Sequence, residues 1–468
     1  MRFEDEIIRA VKHQAATDTE PTAPKTEEEI EAIAEKVRST LPSLSYDFSK
    51  SDSIVLNQDG KKRFVKKYPN MYSPESVLCQ CIKQILDRTF RIKYPNRNKS
   101  VRALFDVLRA VKQMADFTII KYDFKDYFNS VSALYVFEKY IGEKLADRFE
   151  ADLIKKFVME TKYAYAGFST SNVIAEIIAQ QFDIAVRLAL TDKGILFFER
   201  YIDDSIIVIN EHIESSKCLA LLQNTLSMVF HDDTASALPK CKTKFNSTKF
   251  VHISCRNLDA TPKTVDYLGY EFALTKDSHN KVEISYGITQ AKRDKYNSRI
   301  DEIIGLYKES MMSTGLPNPD FQNTELLRHR IAAFTSRAVY QSRRFKSIVW
   351  KTKGFISNYG ELRYLLDSSR IDNTTKDFLI NMVNDAFGRA ALRIPYFIYG
   401  VAGKSGFSLF ENMKRNRTLV LVEHIGYSKP ALVKLCSQVG INPIDKNGKQ
   451  RGYGNLVREY LIKLKVGY

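Results

Sequence analysis

Ile195-Leu196-Phe197-Phe198-Glu199-Arg200-Tyr201-Ile202-Asp203-Asp204-Ser205-Ile206-Ile207-Val208-Ile209 reads as strand, tight turn, strand. Two adjacent carboxylates stand between apolar runs, which puts the acids at a hairpin tip. About 80 residues upstream, the strand-like run Phe117-Thr118-Ile119-Ile120 leads into Asp123. Three acids at the ends of neighbouring strands can hold two divalent cations. Such a pair activates an attacking hydroxyl and stabilises a leaving pyrophosphate in phosphoryl transfer.

The 468 residues have room for two or three domains with substantial cores. No apolar run approaches the roughly 18 residues needed to span a membrane. The first residues, with Glu4-Asp5-Glu6, are too acidic for a secretory signal. Six cysteines, at 79, 81, 218, 241, 255 and 436, form no paired CxxC pattern and read as buried free thiols of a reducing, cytoplasmic compartment. Of the net charge of +16, residues 281–468 hold +15, from 31 Lys+Arg against 16 Asp+Glu. A basic C-terminal lobe beside a near-neutral one fits a polyanion-holding surface; a solvated basic face without a partner gives the same count.

Along the chain, residues 1–14 read as a helix, 15–25 as a polar linker, and Thr26–Thr40 as a second helix opened by Glu27-Glu28-Glu29. Residues 41–60 read as a loop, and 75–115 as helical with a break near Tyr94-Pro95-Asn96-Arg97-Asn98. From 117 to about 275 short strands alternate with helices. Beyond about 285 helical periodicity dominates, as in Arg299–Lys308, Leu326–Ser342 and Thr375–Arg389. The fold class expected is α+β, with one domain over residues 1–280 and an all-α, basic C-terminal domain over 281–468.

Around the acids, Phe124 could lend its backbone carbonyl to a metal, and Phe128 is placed to sit under the sugar of an incoming nucleotide. A bulky ring there leaves no room for a 2′-hydroxyl. Taken alone, this block is also an amphipathic strand-turn with one surface acid. Gly167-Phe168-Ser169-Thr170-Ser171-Asn172 precedes an apolar helix, so Gly167 and Ser169 offer caps and close backbone approach to a nucleotide. Leu238-Pro239-Lys240-Cys241-Lys242-Thr243-Lys244 offers a lysine that could protonate a leaving pyrophosphate, and Val265-Asp266-Tyr267-Leu268-Gly269-Tyr270 reads as a hairpin that could grip a primer end.

In the order of these blocks the chain resembles the reverse-transcriptase family over residues 90–275. Asp123 and Phe128 match its first catalytic motif and sugar gate, Gly167–Asn172 the second motif, Tyr201–Asp204 the third, Lys242 the fourth and Leu268-Gly269 the fifth. The resemblance implies fingers and palm, two Mg²⁺ ions (Mn²⁺ as the alternative) on Asp123, Asp203 and Asp204, and triphosphate binding by Arg97, Lys99 and Arg102. Two positions depart from the family: Ala166 stands where glutamine is usual, and Asn172 where proline is usual. With a long basic helical region and no nuclease signature, the chain resembles the abortive-infection polymerases of phage defence, nearest the type carried by temperate coliphages. That resemblance implies a HEAT-like C-terminal domain, a homo-oligomer, and template-independent DNA synthesis from dNTPs that starts on a protein hydroxyl, leaving single-stranded DNA covalently attached. The alternative is a template-directed reverse transcriptase copying a bound RNA. A catalytically dead nucleic-acid-binding protein is a third reading, against which the three acids argue.

Two further sets of residues follow from these expectations. Arg343, Arg344, Phe345 and Lys346, with Trp350 beyond, combine cations with rings and suit single-stranded DNA; rings buried in a helix core would give the same pattern. A primer hydroxyl needs a mobile segment, which selects Tyr46, in a polar stretch, and then Tyr468 at the chain end. Tyr46 packed against its neighbours is the alternative.

Overall fold

The computed structural model describes residues 3–18, 26–58, 61–232, 240–313, 321–344, 347–366, 370–395, 407–445 and 448–465. The chain forms two compact units, Met1–Lys263 with Thr275–Val282, and Thr264–Leu274 with Glu283–Tyr468. Among the described residues no helix is long and apolar enough to cross a membrane.

The first unit opens with helices α1 (Phe3–Thr17) and α2 (Glu27–Thr40). Thr26 caps α2 reciprocally with Glu29: its hydroxyl accepts the Glu29 amide at 3.2 Å, and the Glu29 carboxylate accepts the Thr26 amide at 3.2 Å. Residues 52–58, expected to be loop, instead form β1 (Asp52–Gln58), which pairs with β2 (Lys61–Lys67) in an antiparallel hairpin. Its strands are short, exposed and charged, so they carry little alternation. Ile54, Val55, Leu56 and Phe64 all face solvent, Phe64 at 62%. Helices α3 (Pro74–Thr89) and α4 (Arg97–Val111) follow, with the expected break between them.

The centre of this unit is a four-stranded antiparallel sheet in the order β4-β5-β3-β6. Its strands are β3 (Thr118–Asp123), β4 (Ile195–Tyr201), β5 (Asp204–Ile209) and β6 (Val251–Ser254). Every residue of β3 is buried, and so is β5 beyond Asp204, which explains their continuous apolar runs. Short helices α5 (Tyr127–Ser130) and α6 (Ala133–Val136) lead to α7 (Arg148–Thr161) and the long α8 (Ser171–Ala189); α9 (Ser215–Phe230) packs against α8. Rings join sheet to helices: Phe124 lies 4.9 Å from Tyr127, 5.5 Å from Phe182 of α8 and 5.6 Å from both Phe230 of α9 and Phe245. Burying such rings contributes about 1.5–3 kcal/mol each, so the acid-bearing strand end rests on a stiff aromatic floor.

The second unit contains a three-stranded sheet of β7 (Lys263–Tyr267), β8 (Tyr270–Lys276) and β9 (Val282–Ile288). After it come α10 (Gln290–Ser313), α11 (Phe321–Phe334), the hairpin β10 (Arg337–Arg344) and β11 (Ser347–Lys353), α12 (Phe355–Tyr359) and α13 (Asn373–Arg389). β12 (Thr418–Leu421) pairs with β10 in parallel. The helices Lys429–Gln438 and Tyr453–Leu464 bury Leu432, Cys436, Leu456 and Tyr460 in a shared core. The expectation of an all-α region over 281–468 is therefore corrected. The helical pattern read through Ser342 ends at Phe334, and Ala338-Val339-Tyr340 and Ile348-Val349-Trp350 extend because β-branched and aromatic residues fit a pleated surface.

Candidate active site

The site is built at one end of the four-stranded sheet. β4 and β5 pair in register as far as Tyr201 opposite Asp204, leaving Ile202 and Asp203 as the two-residue turn. Ile202 takes φ +62°, a left-handed conformation that costs an ordinary L-residue about 1–2 kcal/mol. Arg200 secures it, one Nη1 proton reaching the Ile202 carbonyl at 3.0 Å. On the neighbouring strand Asp123 stands opposite Asp204, and the Phe124 amide donates to the Asp203 carbonyl at 3.3 Å. Asp123, Asp203 and Asp204 thus share one strand end. Burial, and then the charge of Asp123, push the Asp203 carboxyl above its ordinary pKa.

Two lysines and an amide engage the other acids. Lys249 Nζ lies 2.6 Å from Asp123 Oδ2, and Asn246 Nδ2 lies 3.5 Å from Oδ1. Buried Lys121 Nζ is 3.4 Å from Asp204 Oδ1. The donor set is all hard oxygen, which suits Mg²⁺ or Mn²⁺. Among the described residues no three acidic, histidine or cysteine side chains are gathered into a metal cage. Here the lysine ammoniums lie against two of the three carboxylates, and a cation binding there would have to displace Lys249 from Asp123. Phe124, expected to lend a carbonyl, keeps its ring 1% exposed and bridges Phe245.

Beside the turn is a cavity of about 190 Å³ lined by Tyr94, Phe128, Asn172, Glu176, Tyr201 and Ile202, among others. Phe128 is half-buried, one residue past Tyr127, whose hydroxyl donates to the Ala175 carbonyl at 2.7 Å. Phe128 and Asn172 thus line the same cavity. Arg97, Lys99 and Arg102 lie on the first turns of α4, just after cavity-lining Tyr94 and Pro95; Asn96 caps that helix through the Lys99 amide at 3.1 Å. Lys99 and Arg102 are exposed and Arg97 half-buried.

Gly167 has φ +107°, and a Cβ built there would lie 2.3 Å from the Lys66 carbonyl oxygen. The Lys66 amide donates to the Ala166 carbonyl at 2.7 Å. At 166 and 167 backbone alone receives the β1–β2 hairpin, so the side chain at 166 is not needed for that contact. The hairpin brings Arg63 close enough for its charge to lower the Asp203 pKa in part. Ser169 Oγ is buried with no hydrogen-bond partner among the described residues.

The other expected residues fall at several places. Lys242 is exposed, with Nζ 5.1 Å from the Tyr163 ring centroid; the lysine on Asp123 is Lys249. A short turn, Ser247–Lys249, folds Lys249 back, with the Asn246 side chain accepting the Thr248 amide at 3.3 Å. Asn246-Ser247-Thr248 was the available signal, since such residues favour turns. Tyr46 is not on a presented loop: it is 2% exposed, its ring edge-on to Phe48 with Lys156 Nζ 5.3 Å from its centroid. Burial and then Glu160 raise its hydroxyl pKa. Tyr468 and Lys346 lie outside the described residues. Arg343 and Arg344 lie on β10 and Trp350 on β11, a hairpin where a helix was expected; Trp350 is 54% exposed. All six cysteines are free thiols, five buried and Cys255 half-buried.

No protein-family model matches this sequence, and no curated protein is significantly similar to it.

Proposed function

We propose that the chain is a metal-dependent nucleotidyltransferase of the reverse-transcriptase kind, adding deoxynucleotides. The observation that carries this reading is the meeting of Asp123, Asp203 and Asp204 at one strand end beside the Phe128 cavity. When bound, two divalent ions would supply the activated hydroxyl and the stabilised pyrophosphate. The chain's own groups do the rest. The three carboxylates hold the ions, and the Phe128 ring excludes a 2′-hydroxyl. Arg63, Arg97, Lys99 and Arg102 supply positive charge for a triphosphate, and Lys249, 2.6 Å from Asp123, is the lysine at the acids as a proton donor to the leaving group.

On the strength of the motif resemblance, the particular activity is protein-primed, template-independent DNA synthesis in abortive infection, within a cytoplasmic homo-oligomer. Single-stranded DNA is the product, covalently held. With Tyr46 buried, Tyr468 is the remaining primer candidate of the two. Purified protein given dNTPs and Mg²⁺ without template decides the matter by intact mass before and after nuclease. Nuclease-trimmable mass on the chain is expected. Copying of co-purified RNA with no covalent DNA would return the templated reading instead, and no incorporation under either condition would end the polymerase reading.

A further inference from the structure

A buried ion cluster underlies the acidic turn. Arg200 is the second-last residue of β4, and its side chain is only 3% exposed. Glu176 and Asp183 sit seven residues apart on α8, two turns along one face. All three guanidinium nitrogens are engaged by acidic or carbonyl oxygens. Nε lies 2.9 and 3.1 Å from the two Asp183 oxygens, and Nη2 lies 2.8 Å from Glu176 Oε1 and 2.9 Å from Asp183 Oδ2. Nη1 lies 2.8 Å from Glu176 Oε2 and 3.0 Å from the Ile202 carbonyl. Burial pushes the Asp183 carboxyl above its ordinary pKa, against the opposing charges of Arg200 and Arg187.

A cluster that only joined α8 to β4 would need the two ion pairs and nothing more. One Nη1 proton instead goes to the backbone of the turn, at Ile202, whose conformation is unfavourable for its type. A β-branched residue at φ +62° has little reason to stay there unaided. The next two residues are Asp203 and Asp204, so the peptide that Arg200 holds sets the direction of both. Only a planar fork can meet one carboxylate side-on and a second end-on and still reach a carbonyl; a lysine ammonium has three donors and one centre.

We propose that Arg200, clamped by Glu176 and Asp183, is a positioning residue: it holds the Ile202 peptide left-handed and so pre-sets Asp203 and Asp204 to take a divalent cation. The inference rests on the metal-site reading above. Its test is Mn²⁺ binding to the full chain, read from the electron-paramagnetic signal of free Mn²⁺, with circular dichroism as the fold check. Wild type is expected to bind. Arg200→Gln and Arg200→Lys should each lose roughly 10–100-fold in affinity, the usual effect of removing a group that orients metal ligands. Adding Ile202→Gly to Arg200→Gln should restore most of that loss, because glycine accepts positive φ without a clamp. A merely structural Arg200 would not be rescued in this way.

Should the Arg200 variants fail to fold, Glu176→Gln keeps the shape and weakens the grip, and a several-fold loss is expected there. Folded Arg200 variants with wild-type affinity, a Glu176→Gln protein with wild-type affinity, or no rescue by Ile202→Gly would each overturn the positioning role. Absence of Mn²⁺ binding by wild type would instead overturn the metal-site reading, and the positioning role with it.

Discussion

Gly167→Ala tests how the β1–β2 hairpin is held over the acids. The new Cβ would fall 2.3 Å from the Lys66 carbonyl oxygen and 3.2 Å from its carbonyl carbon and amide nitrogen. Relief needs a movement of β2 of about 1 Å, given that non-bonded carbon atoms settle near 3.5 Å or more. A φ of +107° adds conformational strain of about 1–3 kcal/mol for any residue with a Cβ. Loss of the 2.7 Å bond from the Lys66 amide to Ala166 adds about 1 kcal/mol. The total is about 2–4 kcal/mol, or a fall in Tm of roughly 4–16 °C for a unit of this size. The β1–β2 hairpin can also yield by lifting away, which moves Arg63 from the acids and raises KM for dNTPs with less change in kcat. Gly448→Ala is the control, since its φ is +76° with nothing within 4 Å of the new Cβ; only the conformational part should be seen. Thermal melts and steady-state incorporation measure both effects. A Gly167→Ala protein with unchanged Tm and unchanged KM would refute the claim that the glycine is required by close backbone approach.

Asp203→Asn should abolish incorporation and yet melt at a higher temperature than wild type at neutral pH. A raised folded-state carboxyl pKa means the folded chain binds the proton more tightly than the unfolded one, so stability falls as pH rises through that window; the amide removes the penalty, and the gain should vanish in acid. Phe128→Ala should admit ribonucleotides, read as the ratio of ATP to dATP efficiency rising at least several-fold, and an unchanged ratio would remove Phe128 from that role. Lys249→Met should tighten Mn²⁺ binding by removing the ammonium that lies 2.6 Å from Asp123, measured by titration against wild type. Trp350→Ala should weaken single-stranded DNA binding by about 1–3 kcal/mol, the usual value of one stacked base, with affinity falling steeply as salt rises; fluorescence anisotropy at two salt concentrations checks both.

The acidic hairpin was legible because its evidence is local. Apolar runs on either side of Tyr201-Ile202-Asp203-Asp204 leave only a turn for the acids, and β3 and β5 are buried enough to need unbroken apolar sequence. The start of α2 was legible for the same reason: Thr26 with Glu29 satisfies backbone donors within one turn. The β1–β2 hairpin was missed although Asp59-Gly60, a strong turn dipeptide, stands between its strands. Its exposed strands lack the one-sided burial that creates alternation.

By itself the sequence determined the acid-bearing turn, the buried strands around it and the glycine ahead of α8, each a property of neighbours along the chain. Tertiary structure alone decided which lysine meets Asp123, because Lys249 is 126 residues away and Lys242, the closer match by motif, points to Tyr163. It also decided that Tyr46 is packed away and that Arg200, one charge among 71 basic residues, sits against the turn. Local pattern sets which residues extend or coil. Partner choice for a long charged side chain depends on which distant backbone the fold brings within about 3 Å, and spacing along the chain does not record that distance.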